Sequence, residues 1–328
     1  MKIAICGVSH WHNTFYGTAF SEAATIVGAC DDELQKAEGF VSRYGGKAYC
    51  HIEELLKKTK PDFVMAMGRH VDMPKIVSLL LETGIPFGIE KPVGVRSSDL
   101  IPLIQSAQQR KTFIAVPLIN RYSLLWEKIA VLERMGRFGE KIHANFRSIG
   151  GTVERYKRDD VSWMLDPDLS GGGSLRNLGI HGADAFIMFA SDIPDVLAAR
   201  LGYTDKKLKI EEYSAALVVA NGIIGTLESG YTFATGAAAG DFEWRIASTN
   251  CYIIDRGKEL TVSTLDDGKT EIINNLSAAE RYKMFGKDTL ERLRNGLPPI
   301  ADLGDCFRAM QLLDNIYARS KETKNRDD

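Results

Sequence analysis

The sequence predicts an α/β chain in two parts: a doubly wound parallel sheet in residues 1–120, then an α+β domain with a large, mainly antiparallel sheet in residues 121–328. Three observations carry this. In the first part, continuous apolar runs alternate with amphipathic segments, the pattern of strands covered on both faces by helices. In the second, strand-like runs follow one another directly, and Asn221-Gly222 and Asp267-Gly268 supply the turn chemistry of antiparallel hairpins. At 328 residues the chain also exceeds the usual size of a single core.

Along the first part, strands are expected at 2–6, 25–30, 62–67, 86–90 and 112–116. Asp31-Asp32 offers N-cap oxygens to one helix, Gly84 stops another, and Ser97-Ser98 opens a third. A helix at 124–135 ends before Gly136. Strands then follow at 141–148, 196–203, 214–219, 223–231, 243–246, 252–255 and 259–263. A last helix at 303–320 precedes the polar tail 321–328, which is expected to fray.

Composition narrows the function. Hydrophobic residues at 45% and charged residues at 26% are a soluble globular balance. A formal net charge of −2 without a basic run argues against a nucleic-acid partner. No apolar run approaches the ~18 residues that span a bilayer, so no membrane partner is expected. The apolar start at 2–6 is too short for a secretory signal, which makes the cytoplasm the expected location. The five cysteines are odd in number, scattered and without a C-x-x-C pair, hence buried thiols. His10 and His12 are a close pair, but no neighbouring cysteine or carboxylate in the sequence completes a ligand set, and no metal is expected.

Four motifs carry chemistry. Gly7-Val8-Ser9-His10-Trp11-His12 follows the first strand where a dinucleotide-binding turn would read G-x-G-x-x-G. Gly7 can make the tight turn and Ser9 leaves room for a pyrophosphate, whereas His12 replaces the glycine that allows close helix packing. Asp31, at the end of the second strand, is either a helix cap or the acid that holds a ribose hydroxyl. Glu90-Lys91-Pro92 stands at the carboxyl end of the sheet, where open α/β folds bind ligands; an ordinary charged loop is the other reading. Finally, Asn177, His181 and Asp184 recur at helical spacing behind Gly171-Gly172-Gly173, which lets a ligand or another backbone approach closely. Such a polar face either lines a site or meets solvent. The charged run 155–160 is likewise a solvated loop or a substrate clamp.

Taken in order, these pieces, with Trp163-Met164-Leu165-Asp166-Pro167 and Asn295-Gly296-Leu297-Pro298-Pro299, resemble the Gfo/Idh/MocA family of nicotinamide-dependent oxidoreductases over almost the whole chain. The resemblance implies a Rossmann domain and a second domain whose open sheet forms an oligomer interface. It assigns Lys91 and His181 as catalytic, with Asn177 where many members carry aspartate. For the cofactor it implies Gly7, Ser9, His10, His12, Asp31, Gly68, Glu90 and Lys91, and for the substrate Lys91, Trp163, Asn177 and His181. Gly68-Arg69-His70-Val71-Asp72-Met73 departs from the family's T-P-x-x-x-H pattern.

The expected activity is hydride transfer between nicotinamide and a secondary alcohol of a sugar, inositol or related polyol. His181 would be the acid–base group, Lys91 the donor to the reacting oxygen, and Asn177 an orienting amide. NAD is expected over NADP, because Asp31, Asp32 and Glu33 would repel a 2′-phosphate. A homodimer or homotetramer is expected, since the antiparallel sheet lacks helices to cover both faces. An NAD-dependent glycosidase of the same family and a non-catalytic cofactor- or ligand-binding regulator are the alternatives.

Overall fold

The structure, a computed structural model, describes residues 1–204, 207–235 and 239–327, with side chains as far as Glu322, and divides into two units. The first comprises Met1–Ile119, Asp159–Trp163 and Ala279–Phe307; the second comprises Asn120–Arg158, Met164–Ala278 and Arg308–Asp328. The sequence reading draws one boundary after residue 120. The chain returns to the first unit twice more, for which a linear reading has no signal.

Six parallel strands form the first unit's sheet: β1 (Lys2–Cys6), β2 (Thr25–Cys30), β3 (Lys47–Tyr49), β4 (Phe63–Ala66), β5 (Phe87–Ile89) and β6 (Ile114–Ala115). Their order is β3-β2-β1-β4-β5-β6, the Rossmann order. Ile3, Ile5, Phe63, Met65, Phe87 and Ile89 are fully buried, which is why these strands read as continuous apolar runs. Helices α1 (Asn13–Ala23), α2 (Leu34–Tyr44), α3 (Ile52–Thr59), α4 (Met73–Thr83) and α5 (Ile101–Arg110) supply the crossovers. Strand order reverses between β1 and β4, so the turns at Gly7 and Gly68 open at the switch point where such sheets bind ligands.

The helix signals hold with two adjustments. Gly84 ends α4 in the left-handed conformation at φ 70°. The cap position of α2 is Glu33, directly after the Asp31-Asp32 pair, and Asp31 reaches it by accepting the Glu33 amide at 3.2 Å. Before α5, the acceptor for the amides of Val95 and Arg96 is Asp99; the serines lie in the 3-10 turn Ser97–Leu100.

In the second unit, α6 (Leu124–Arg134) starts from Ser123, whose hydroxyl accepts the Leu125 amide. An eight-stranded sheet follows: β7 (Lys141–Gly151), β8 (Asp195–Gly202), β9 (Tyr213–Ala220), β10 (Ile223–Phe233), β11 (Gly240–Ser248), β12 (Cys251–Asp255), β13 (Glu259–Thr264) and β14 (Thr270–Asn274). Its order is β14-β13-β12-β11-β7-β10-β9-β8. Only β7 and β10 run parallel among these neighbours. At the β9–β10 hairpin, Asn221 and Gly222 have φ of 52° and 77°, as the two-residue turn requires.

Short helices α7 (Glu154–Arg158) and α8 (Pro167–Ser170) and a π-turn at Leu175–Gly179 lead into α9 (Ile180–Ala190), which packs on the sheet. Gly225 of β10 belongs to that contact: a Cβ there would stand 2.2 Å from the Phe186 ring of α9. The remaining helices are α10 (Ala278–Arg294) and α11 (Leu303–Asp327). The tail expected to fray instead continues α11 to Asp327.

Candidate active site

In the first unit, the turn after β1 is held by backbone geometry and one carboxylate. Gly7 has φ 74°, and a Cβ on it would lie 2.0 Å from the Met67 carbonyl oxygen, so no other residue fits. Asp31 fastens the turn through Oδ2, which accepts the Ser9 amide at 2.7 Å. Each of its oxygens thus takes one N–H bond, and a carboxylate oxygen can accept a second.

Glu90 is the anchor of the neighbouring corner, 1% exposed at the end of β5. Its Oε2 accepts from the Tyr16 hydroxyl and lies 3.0 Å from His12 Nδ1; its Oε1 accepts the Lys91 amide at 2.9 Å. Tyr282 of α10 places its hydroxyl 3.0 Å from the same His12 nitrogen and stacks on Phe15. Burial pushes the Glu90 carboxyl up, but His12, and after it Lys91, outweigh burial and hold it below the usual carboxylate range. Burial, aided by Glu90, raises the Tyr16 phenol well above its usual value. His12, where a fingerprint glycine was expected, is therefore a partner of Glu90.

His10 is 3% exposed and stacks on Trp11 at 3.9 Å. Burial, reinforced by His12, holds its imidazole well below the ordinary value, so the ring is neutral. Its Nδ1 accepts the His12 amide at 3.1 Å, which leaves the proton on Nε2. That Nε2 is buried and meets no hydrogen-bond partner among the described residues. Trp163 completes the cluster, 5.7 Å from Trp11 and 5.0 Å from His70. Gly68 continues β4 beside Met73 and Ile76.

Ligand atoms of His10, His12 and Glu90 lie within 4.8 Å of one another. The carboxylate missing beside the histidine pair in the sequence thus comes from 78 residues away. A cation there would have to displace the His12 contacts to Glu90 and Tyr282, or the amide bond to His10 Nδ1. The donors as arranged suit ligand oxygens better: the His10 Nε2–H, a turn without a side chain at Gly7, and Asp31 with acceptor capacity left fit a dinucleotide.

Two cations approach the acidic end of β2: Lys36, which is near in the sequence, and Arg69, which is not. Lys36 bonds Asp160 at 3.1 Å and lies within the field of Glu33 and Asp31; Arg69 bonds Asp72 at 2.6 Å and lies within that of Asp32. Both are paired already.

In the second unit, Asn177 is 3% exposed within the π-turn. Its Nδ2 donates to the hydroxyls of Tyr156 at 2.8 Å and Tyr231 at 3.1 Å. The Tyr231 hydroxyl in turn donates to the Gly173 carbonyl at 3.3 Å, and burial raises its phenol well above the usual value. His181, partly exposed, stands in the first turn of α9. Asp184 is buried and paired with Arg121, 3.0 Å from Nε to Oδ2, which makes it a packing residue. The stripe therefore does not face solvent. Within the glycine run, Gly173 meets another backbone: a Cβ on it would lie 1.9 Å from the Glu211 carbonyl oxygen. The Glu211 carboxylate, raised by burial, accepts the amides of Gly173 and Leu175 and the Tyr317 hydroxyl. Within the charged run 155–160, Tyr156 is 2% exposed, so that stretch is not simply a solvated loop.

Comparison with known proteins agrees with this architecture. Residues 1–117 match the oxidoreductase family with an NAD-binding Rossmann fold, and residues 127–254 match the GFO/IDH/MocA C-terminal domain. The chain belongs to the Gfo/Idh/MocA oxidoreductase family. A trans-1,2-dihydrobenzene-1,2-diol dehydrogenase of Xenopus laevis is 25% identical over 206 residues, 61% of this chain and 60% of that protein. A D-xylose 1-dehydrogenase (NADP(+)) of Hypocrea jecorina is 28% identical over 166 residues, 48% of this chain and 42% of that protein. The matched stretch thus spans about three fifths or less of these relatives. Among solved structures, an oxidoreductase from Agrobacterium radiobacter, in complex with NAD+, L-tartaric acid and magnesium, superimposes with a TM-score of 0.85 at 17% identity, covering 98% of this chain and 97% of that one.

The lowered values of His10 and Glu90 fix the sign of an acid response. The unfolded chain protonates His10 near its ordinary value of about 6.5 while the folded chain does not, so stability falls as pH drops through that value. Glu90 contributes above its ordinary value of about 4.3, and that contribution is lost as pH falls toward its lowered folded value. Urea midpoints between about pH 8 and pH 5 should decline. In His10→Asn, whose amide oxygen can still accept the His12 N–H, the decline near pH 6 should flatten; an unchanged profile would contradict the buried neutral ring.

Proposed function

We propose that this chain is an NAD-dependent oxidoreductase acting on a secondary alcohol of a sugar, inositol or related polyol. The observation that carries the reading is the first unit's corner, where the Gly7 turn and the buried donor of His10 adjoin Glu90 and Lys91. The names of sequence relatives as sugar and diol dehydrogenases support the substrate class.

NAD, when bound, supplies the hydride chemistry. Gly7, Ser9, His10 and Asp31 would hold it, with Gly68 beside the turn. Lys91, whose backbone is fixed by Glu90, would donate to the reacting oxygen and stabilise alkoxide character. His181 would take the hydroxyl proton on oxidation and return it on reduction. Asn177 acts through Tyr156 and Tyr231 as a positioning residue, since both hydrogens of its amide are already given to them. Preference for NAD over NADP rests on Asp31, Asp32 and Glu33 and on the pairing of Lys36 and Arg69.

We also propose a homodimer or homotetramer built on the open face of the eight-stranded sheet. Ile224, His143, Ala247 and Tyr252 form one row across β10, β7, β11 and β12, and Leu217 and Ile272 are exposed on the same sheet. The exposed side chains of Ile224, Tyr252, Leu217 and Ile272 favour burial against another sheet.

Turnover of a polyol and sugar panel, read by nicotinamide absorbance, tests the activity. His181→Ala should lower kcat by roughly 10²–10⁴-fold with NAD affinity retained. Wild-type turnover in that variant, or NADP bound as tightly as NAD, would remove His181 or Asp31 from its assigned role. Light scattering at micromolar concentration should give two or four chains; a monomer would overturn the assembly.

A further inference from the structure

We infer that the substrate carries a carboxylate, seated by Arg155 of the second unit; this rests on the oxidoreductase reading and narrows its substrate to a sugar or polyol acid. Other buried or half-buried arginines of this unit have acidic partners: Arg121 pairs with Asp184, Arg176 with Asp314, and Arg147 with Asp241 and Glu243. Arg155 has none among the described residues. Its polar contact is Nη2 donating to the Tyr156 hydroxyl at 2.5 Å, and its Nε is buried without a hydrogen-bond partner.

The guanidinium is nevertheless held in place. It lies 4.6 Å from the centroid of the Tyr156 ring and 5.6 Å from that of Tyr231, with Gly150 of β7 beneath it, where a Cβ would come within 3.5 Å of Nη1. Aromatic faces attract a cation but leave its N–H fork unsatisfied. A fixed planar fork without a counter-charge is matched by a carboxylate. A single charge without an acidic partner among the described residues suits one carboxylate better than a phosphate dianion.

The same phenols tie Arg155 to the proposed chemistry. Tyr156 and Tyr231 both accept from Asn177, which precedes His181 in the π-turn leading into α9. An acid at position 177 would have answered the Arg155 charge through this cluster. The amide does not, and the positive charge is left for a ligand.

Matched pairs test this with the intact protein and NAD: D-gluconate against D-glucitol, D-glucuronate against D-glucose, and the galacto counterparts. Turnover is read by absorbance and binding by calorimetry. Acids should have the higher kcat/KM, and Arg155→Gln should lower the acid-to-neutral ratio by roughly 10- to 100-fold, the scale of a charge-assisted hydrogen bond. Arg155→Lys keeps the charge and loses the fork, so it should fall between. The wild-type ratio decides the matter even if the Gln variant fails to fold. Neutral members turned over as well as the acids overturn the inference and leave the oxidoreductase reading standing. Acids that bind in an Arg155-dependent manner without turnover of any compound support the anion site and count against that reading. Absence of both binding and turnover for every acid overturns the inference.

Discussion

Glu90 is a carboxylate taken out of water at the end of β5, and groups from distant stretches of the chain are placed by the need to answer its charge. Burying an ion costs several kcal/mol unless its oxygens are satisfied. The Tyr16 hydroxyl from α1, His12 from the turn after β1 and the amide of Lys91 do this, with Tyr282 of α10 closing over His12. Without Glu90, the buried Tyr16 hydroxyl and the Lys91 amide would lose this acceptor, a costly loss in a low-dielectric interior. Glu90 joins the turn after β1 to the backbone of Lys91 within one unit. Asp31 performs the equivalent task on the other side of the turn, by fastening Ser9.

The second unit solves a related problem with neutral groups. Asn177 gives both amide hydrogens to tyrosines, so their positions are fixed without adding charge. Glu211 holds the start of the π-turn through backbone amides. Within the glycine run, Gly173 is required where the Glu211 backbone passes against it, and Gly172 where the Tyr317 side chain does. Among the described residues of this unit, Arg155 lacks the acidic partner that Arg121, Arg147 and Arg176 have.

Much of the fold was legible because burial on both faces writes itself into continuous apolar runs. β1 and β2 match their expected limits, and the Asn221-Gly222 hairpin follows from the positive φ its turn demands. β3 and β14 were not legible. β3 has only three residues, none fully buried, and β14 is an edge strand without a buried residue, so neither carries an alternation. The tail of α11 reads as polar and unstructured because helix propagation from a packed segment leaves no apolar mark.

Of the site, single motifs were legible and their partners were not. Gly7, Asp31 and the Glu90-Lys91 corner announce themselves by position after a strand. Tyr282 lies 270 residues from the histidine it touches, and Tyr156 sits in a charged run that local composition assigns to solvent. The buried charge of Glu90 organises the corner proposed to hold the cofactor. Calorimetric titration of NAD into Glu90→Gln tests it most directly, with circular dichroism to establish that the variant is folded. Affinity should weaken by about tenfold or more, as donors built for an anion lose it. Wild-type affinity in the folded variant would contradict it.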